Sequence, residues 1–257
     1  MSAQAPQPPA PDVWKAAYLR VIAFTETPYS IRHNWWQDVT GSEPTDVSDK
    51  RSQRERVEVG EVEGARLSLT CDLARITWTA DVKADLEVAP ESRFLGSYID
   101  RQDWFVGLMK KWLASVDAPL TRLAFAGRLE QPAETREAGY DRLNQYLRHV
   151  ELFRDSSDFL YRINRPTAST TLGNGIAINR LTSWAVAFLT RLSASLDASG
   201  LTLGQTDEPL FSVIVDFDIN NSPLTKPDVL VSDKLADLIQ EYSNMMKQIA
   251  TLGDTNT

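Results

Sequence analysis

Apolar and polar positions alternate with a period of two through most of this chain, and a few stretches switch to the three-to-four spacing of a helix. The first pattern makes strands with one core face, the second makes amphipathic helices. "WKAAYLRVIAFTETP" (14–28) alternates at Tyr18, Ile22 and Phe24, with Arg20 as the polar exception, and Pro28 closes the predicted strand. Residues 29–55, with "HNWWQDVTGSEPTDVSDK" inside them, are rich in Ser, Asp, Pro and Gly and predict a long loop. Alternation resumes at Val57 and Val59, then Leu67, Leu69 and Cys71, then Ile76 and Trp78, with Gly64 and Asp72 offering turns. An antiparallel meander with one wet face is expected there.

"DRQDWFVGLMKKWLASVD" (100–117) sets Phe105, Leu108, Met109, Trp112 and Val116 at helical spacing, with Asp100 and Asp103 at the positive end. After Pro119 the order repeats. "LTRLAFAGRLEQP" (120–132) predicts a strand and "YDRLNQYLRHV" (140–150) a short helix with Tyr140, Leu143, Leu147 and Val150 on one face. "DFLYRINRP" (158–166) predicts another strand, and 167–175 a loop. "LTSWAVAFLTRLSASLDASG" (181–200) fits both periods at Trp184, Phe188 and Leu192; its β-branched residues and serines favour strand. "LFSVIVDFDINN" (210–221) is a strand, and Ser232 to Gly253 is the strongest helix, with Leu235, Leu238, Ile239, Tyr242, Met245 and Ile249 in one stripe.

The expected fold is therefore α+β: antiparallel sheet packed by amphipathic helices near 103–116 and 232–251. The Pro-rich residues 1–12 read as a disordered lead-in, 13–253 as a single domain, and 254–257 as a disordered tail. Within that domain 13–118 and 119–253 form two strand-rich halves, each ending in a helix. "LRVIAF" before Pro28 echoes "TRLAFA" before Pro132. Tandem duplication and accidental similarity are both open as its origin.

Composition narrows the chemistry. A chain of 257 residues with 42% apolar residues, seven Trp, nine Phe and seven Tyr can build one large core. Its net charge of −8 repels phosphate backbones, and the one cationic run, "KRSQRER" (50–56), is followed at once by Glu58, Glu61 and Glu63, so nucleic acid is a disfavoured partner. Cys71, the only cysteine, lies in a strand pattern and is expected to be buried packing. No leader peptide and no membrane span are expected, and cytoplasm is the expected compartment.

Asp216 and Asp218 are the candidate metal ligands, because alternate strand positions project two carboxylates to one face, where Mg²⁺ or Ca²⁺ would accept them. The competing reading is a strand that emerges into solvent before the turn at Asn220, Asn221 and Pro223. His33 and His149 are the histidines available for proton transfer, yet no nucleophile elbow or zinc-binding helix accompanies them. "LGNGIA" (172–177) lacks the lysine of a phosphate loop and reads as a tight turn. No cofactor and no catalytic set is assigned.

The pieces "LTRLAFAGRLEQP", "DFLYRINRP", "FSVIVDFDIN" and the helix from Ser232 resemble, in kind and order, a sporadically distributed, functionally uncharacterised family of bacterial and archaeal proteins of roughly this length. The Arg-aromatic-Ile-Asn-Arg run that the family places after the first of these is not found at 126–130; "YRINR" occurs at 161–165. The resemblance implies an accessory or phage-defence setting and supplies no catalytic residues.

A non-catalytic protein-interaction module, a sensor or adaptor, is the leading expectation, acting through a protein partner or self-association. A metal-dependent enzyme using Asp216 and Asp218 and a structural subunit of a larger assembly are the alternatives. Trp35 and Trp36, beside His33 in the predicted loop, are the expected partner-binding residues, since exposed tryptophans suit interface hot spots. In that case replacing both by Ala would leave the melting temperature nearly unchanged and weaken association. If instead both cap the edge of the core, stability would fall by several kcal/mol, as the loss of buried aromatics requires.

Overall fold

The computed structural model describes residues 13–26, 34–82, 93–153, 155–173, 175–189, 192–197, 200–205, 210–222, 230 and 232–254. In chain order its elements are β1 (Lys15–Thr25), α1 (Trp35–Thr40), β2 (Asp46–Lys50), β3 (Glu55–Val62), β4 (Ala65–Cys71), β5 (Arg75–Asp81), β6 (Gly96–Ser97) and α2 (Tyr98–Ser115). Then follow β7 (Leu120–Ala133), α3 (Arg136–Tyr146), β8 (Leu160–Asn164), β9 (Thr167–Ala168), β10 (Ala177–Leu189), β11 (Leu192–Asp197), β12 (Gly200–Gln205), β13 (Leu210–Asn221) and α4 (Ser232–Leu252). Residues 182–189 and 192–197 are thus strand.

An 11-stranded antiparallel sheet runs β2, β3, β4, β5, β1, β7, β13, β10, β8, with β6 paired to β1 and β9 to β10; β11 and β12 form a separate hairpin. The two halves share a plan. In each, the chain passes from the first strand to the sheet edge and steps back inward until the last strand lies beside the first (β1 by β5, β7 by β13), and a helix follows (α2, α4); three strands intervene on the main path in the first half, two in the second. The first strands pair across the middle, Val21 opposite Phe125 and Leu19 opposite Gly127. The "LRVIAF" and "TRLAFA" echo falls on these two equivalent strands. At Gly127 an added Cβ would lie 2.7 Å from the Tyr18 carbonyl oxygen and 2.8 Å from the Phe217 ring. Gly127→Ala should therefore lower stability by about 1–3 kcal/mol in urea denaturation, the cost of overpacking where backbone cannot yield.

Among the described residues all four helices pack on one face of the sheet. Phe105 of α2 stacks on Phe125, Tyr146 of α3 on Trp184, and Trp35 of α1 meets Trp112. Helix α4 buries Leu235, Leu238, Ile239, Tyr242, Met246 and Ile249, each worth about 1.5–3 kcal/mol of transfer free energy. The stripe runs through Met246 where the spacing predicted Met245. Helices α2 and α4 are locked in register by Gln102, whose Nε2 donates to the Ser243 carbonyl at 2.7 Å, and by Lys110 Nζ donating to Gln240 Oε1 at 2.6 Å. No helix among the described residues is long and apolar enough to cross a membrane.

Four local expectations change. The predicted loop 29–55 contains α1, ended by left-handed Gly41, and the edge strand β2. On β1 the core side chains are Leu19, Val21 and Ala23, whereas Tyr18, Ile22 and Phe24 lie half-buried on the opposite face. On β3, register with Leu69 puts Glu58 on the core side, ion-paired to Arg56 at 2.6 Å, and turns Val57 and Val59 to the other. Cys71 is buried, and burial pushes its thiol up to about 12. In the Gly-rich stretch Ile176 N donates to the Gly173 carbonyl at 3.2 Å, the hydrogen bond of a turn; residue 174 lies outside the described residues. Residues 1–12 lie outside the described residues, but Asp254, assigned to a disordered tail, is 8% exposed and firmly bonded.

Candidate functional site

Alternation on β13 sends Val213, Val215, Phe217 and Ile219 to the helices and Asp216 and Asp218 to the helix-free face. Cross-strand register places Asp216 opposite Arg128, and the guanidinium grips the carboxylate at both ends, Nε to Oδ1 at 2.7 Å and Nη2 to Oδ2 at 2.9 Å. That hydrogen bonding raises the Arg128 pKa, and burial, then the Asp216 charge, pushes the Tyr18 phenol up. Asp218 accepts from Asn220 Nδ2 at 2.8 Å. A cation already sits where a metal would have to bind, and the described residues contain no group of three His, Cys, Asp or Glu side chains placed to hold one. The two aspartates are brought together on one face, but as members of a hydrogen-bonded surface.

Around them β1, β7 and β13 present a mixed surface. Arg20 lies over the Tyr18 ring at 5.3 Å and donates to Thr79 Oγ1; Arg122 lies over the Phe24 ring at 5.3 Å. Ala126 on β7 lies between Arg20 on β1 and Asp218 on β13, because it faces both across the sheet. Ile22 faces Ala124 in the next row.

Trp35 and Trp36 are 0% and 1% exposed, which corrects their assignment as partner-binding residues: α1 turns both rings inward. Trp36 stacks on Trp78 at 5.9 Å, Trp78 meets Trp112 edge-on at 6.1 Å, and Trp112 meets Trp35 at 6.0 Å. His33 lies outside the described residues, so the structure brings it together with neither.

A second polar constellation has no local signal in the sequence. Asp254 accepts from Arg165 through both oxygens and from the Tyr161 hydroxyl at 2.7 Å, and His149 Nε2 stands 3.0 Å away. Burial by itself would raise the Asp254 carboxyl, but the hydrogen bonds from Arg165 and Tyr161 outweigh it and hold the group below the usual carboxylate range. Its backbone N donates to the Tyr146 carbonyl at 3.1 Å. The cluster ties the ends of α3 and α4 to β8 and the residue beyond it. Comparable work is done at the middle of α4 by Glu241, which accepts from Ser169 Oγ at 2.9 Å and from Thr170 N at 2.7 Å. These groups anchor helices to the sheet, and His149, held between Asp254 and Tyr161, is one of the anchors. Comparison with protein-family models and with curated proteins finds no match for this chain.

Proposed function

We propose that this protein is a non-catalytic interaction module whose working surface is the helix-free face of its sheet, and that the partner seated there is a second copy of the chain. One observation carries the reading: central strands that expose half-buried Tyr18, Ile22 and Phe24 beside arginines and aspartates, with no described helix above them. Aromatic residues and arginine are enriched at protein interfaces. A surface with both signs of charge suits a twofold contact, where Arg20 of one copy meets Asp218 of the other, and suits a polyanion poorly in a chain of net charge −8. The bidentate Arg128 grip on Asp216 speaks against the metal-dependent alternative. The role of sensor or adaptor in a prokaryotic accessory or phage-defence system rests on the family resemblance.

Sedimentation velocity across a concentration series tests this. Wild type should form a dimer that Arg20→Asp dissociates and that Arg20→Asp with Asp218→Arg restores, since the swap rebuilds the pair with reversed polarity. A wild type that stays monomeric throughout, or a double variant no better than the single one, overturns the reading.

A further inference from the structure

On the opposite face, the first turn of α3 stands over the ends of β10 and β13. The helix touches the sheet at Gly139, where an added Cβ would be 2.8 Å from Val186 Cγ1. Beyond that contact a recess of about 400 Å³ opens over the next pair of the register, Phe188 opposite Phe211. Those rings lie 5.6 Å apart and tilted by 49°, and Phe188 is 59% exposed. Val186 and Tyr140 complete the apolar lining, and the charged part is Arg136, Glu137 and Asp158. Arg136 Nε is buried with no hydrogen-bond partner.

We propose that this recess binds a flat aromatic group carrying an adjacent carbonyl acceptor. The volume lies in the range of small-ligand sites, about 300–1,000 Å³, and such sites combine an apolar lining with few polar groups that fix orientation. Two aromatic faces, one of them mostly in water, make a stacking platform that pays no cost of opening a core. The Arg136 side chain is 43% exposed, but its Nε–H has no acceptor within the protein, and the bound group supplies one. The acceptor is a neutral carbonyl because Asp158 and Glu137 line the same recess and disfavour added negative charge. Arg136 already faces the Glu137 carboxylate at 3.6 Å through Nη2, leaving Nε for the ligand.

Titration of the ¹⁵N-labelled protein with N-acetyl-phenylalaninamide, read by amide shifts, tests the assignment. Saturable shifts are expected at residues 136–140, 186–188 and 211. Phe188→Ala should weaken binding by about tenfold or more without moving the melting temperature, since its ring is mostly exposed. Arg136→Gln should weaken the amide probe while leaving toluene, which keeps the ring and carries neither carbonyl nor charge, unchanged. Shifts centred elsewhere, or toluene binding the wild type as tightly as the amide, would overturn the proposal. The recess and the helix-free face lie on opposite sides of the sheet, so either reading can fail alone.

Discussion

Replacing Trp35 and Trp36 together by Ala should remove most of this protein's folding stability. Both rings are buried, and through Trp78 and Trp112 they form a continuous run of indoles that joins α1 to β5 and α2. Truncating a buried tryptophan costs roughly 3–5 kcal/mol, part of it lost transfer free energy and part the cavity left behind. Collapse into that cavity is hindered because Trp36 covers Gly60, where even a Cβ would come within 2.7 Å of the ring; nothing on the β3 side can move in. Two such losses approach the whole stability of a typical domain, about 5–15 kcal/mol. The single variants should melt well below wild type, and the double variant should show no cooperative transition in urea followed by circular dichroism. An unchanged midpoint would place the indoles outside the core and return them to the role of partner contacts.

Why the sequence misplaced these tryptophans is physical. Helix α1 spans six residues, too short for a helical period to stand out from a run of loop-forming residues, although Gly41 marks its end. The phase of β1 was hidden for a different reason. Both of its faces are apolar, Leu19, Val21 and Ala23 against Tyr18, Ile22 and Phe24, so alternation predicts a strand without saying which set faces the helices, and the larger side chains mislead. In α4, by contrast, one long stripe against a polar back made element, boundaries and buried face legible, with Met246 replacing its neighbour. The strand carrying Asp216 and Asp218 was equally plain. Its Arg128 partner was not, because that contact depends on pairing β13 with β7. The Asp254 cluster lies further still beyond local patterns: Arg165 and Tyr161 are 89 and 93 residues away in sequence, and only the finished fold assembles them.

That cluster contributes to the acid sensitivity of the fold. The Asp254 carboxyl titrates below its ordinary value in the native state, despite a burial that would raise it, because Arg165 and Tyr161 bond to the ionised form. A depressed native pKa contributes stability that is complete above the unfolded pKa, about 3.9, and is lost as pH falls through the native value. Wild type should therefore lose stability on acidification below about pH 4, and part of that loss should be missing from Asp254→Asn, which has no such carboxyl to protonate. At neutral pH the same substitution should cost about 2–3 kcal/mol, because hydrogen bonds to a charged acceptor are weakened and Arg165 is left beside buried Arg180 without a counter-charge. Gly253 tightens the arrangement: its left-handed φ of +78° ends α4, and a Cβ there would collide with the Tyr146 carbonyl. Urea denaturation of wild type and Asp254→Asn between pH 3 and pH 7 gives the test. Two stability curves that converge on the acid side show that the charge of Asp254 holds α4 in place, whereas curves that stay parallel down to the acid limit would mean that Arg165 and Tyr161 hold an asparagine as well as an aspartate.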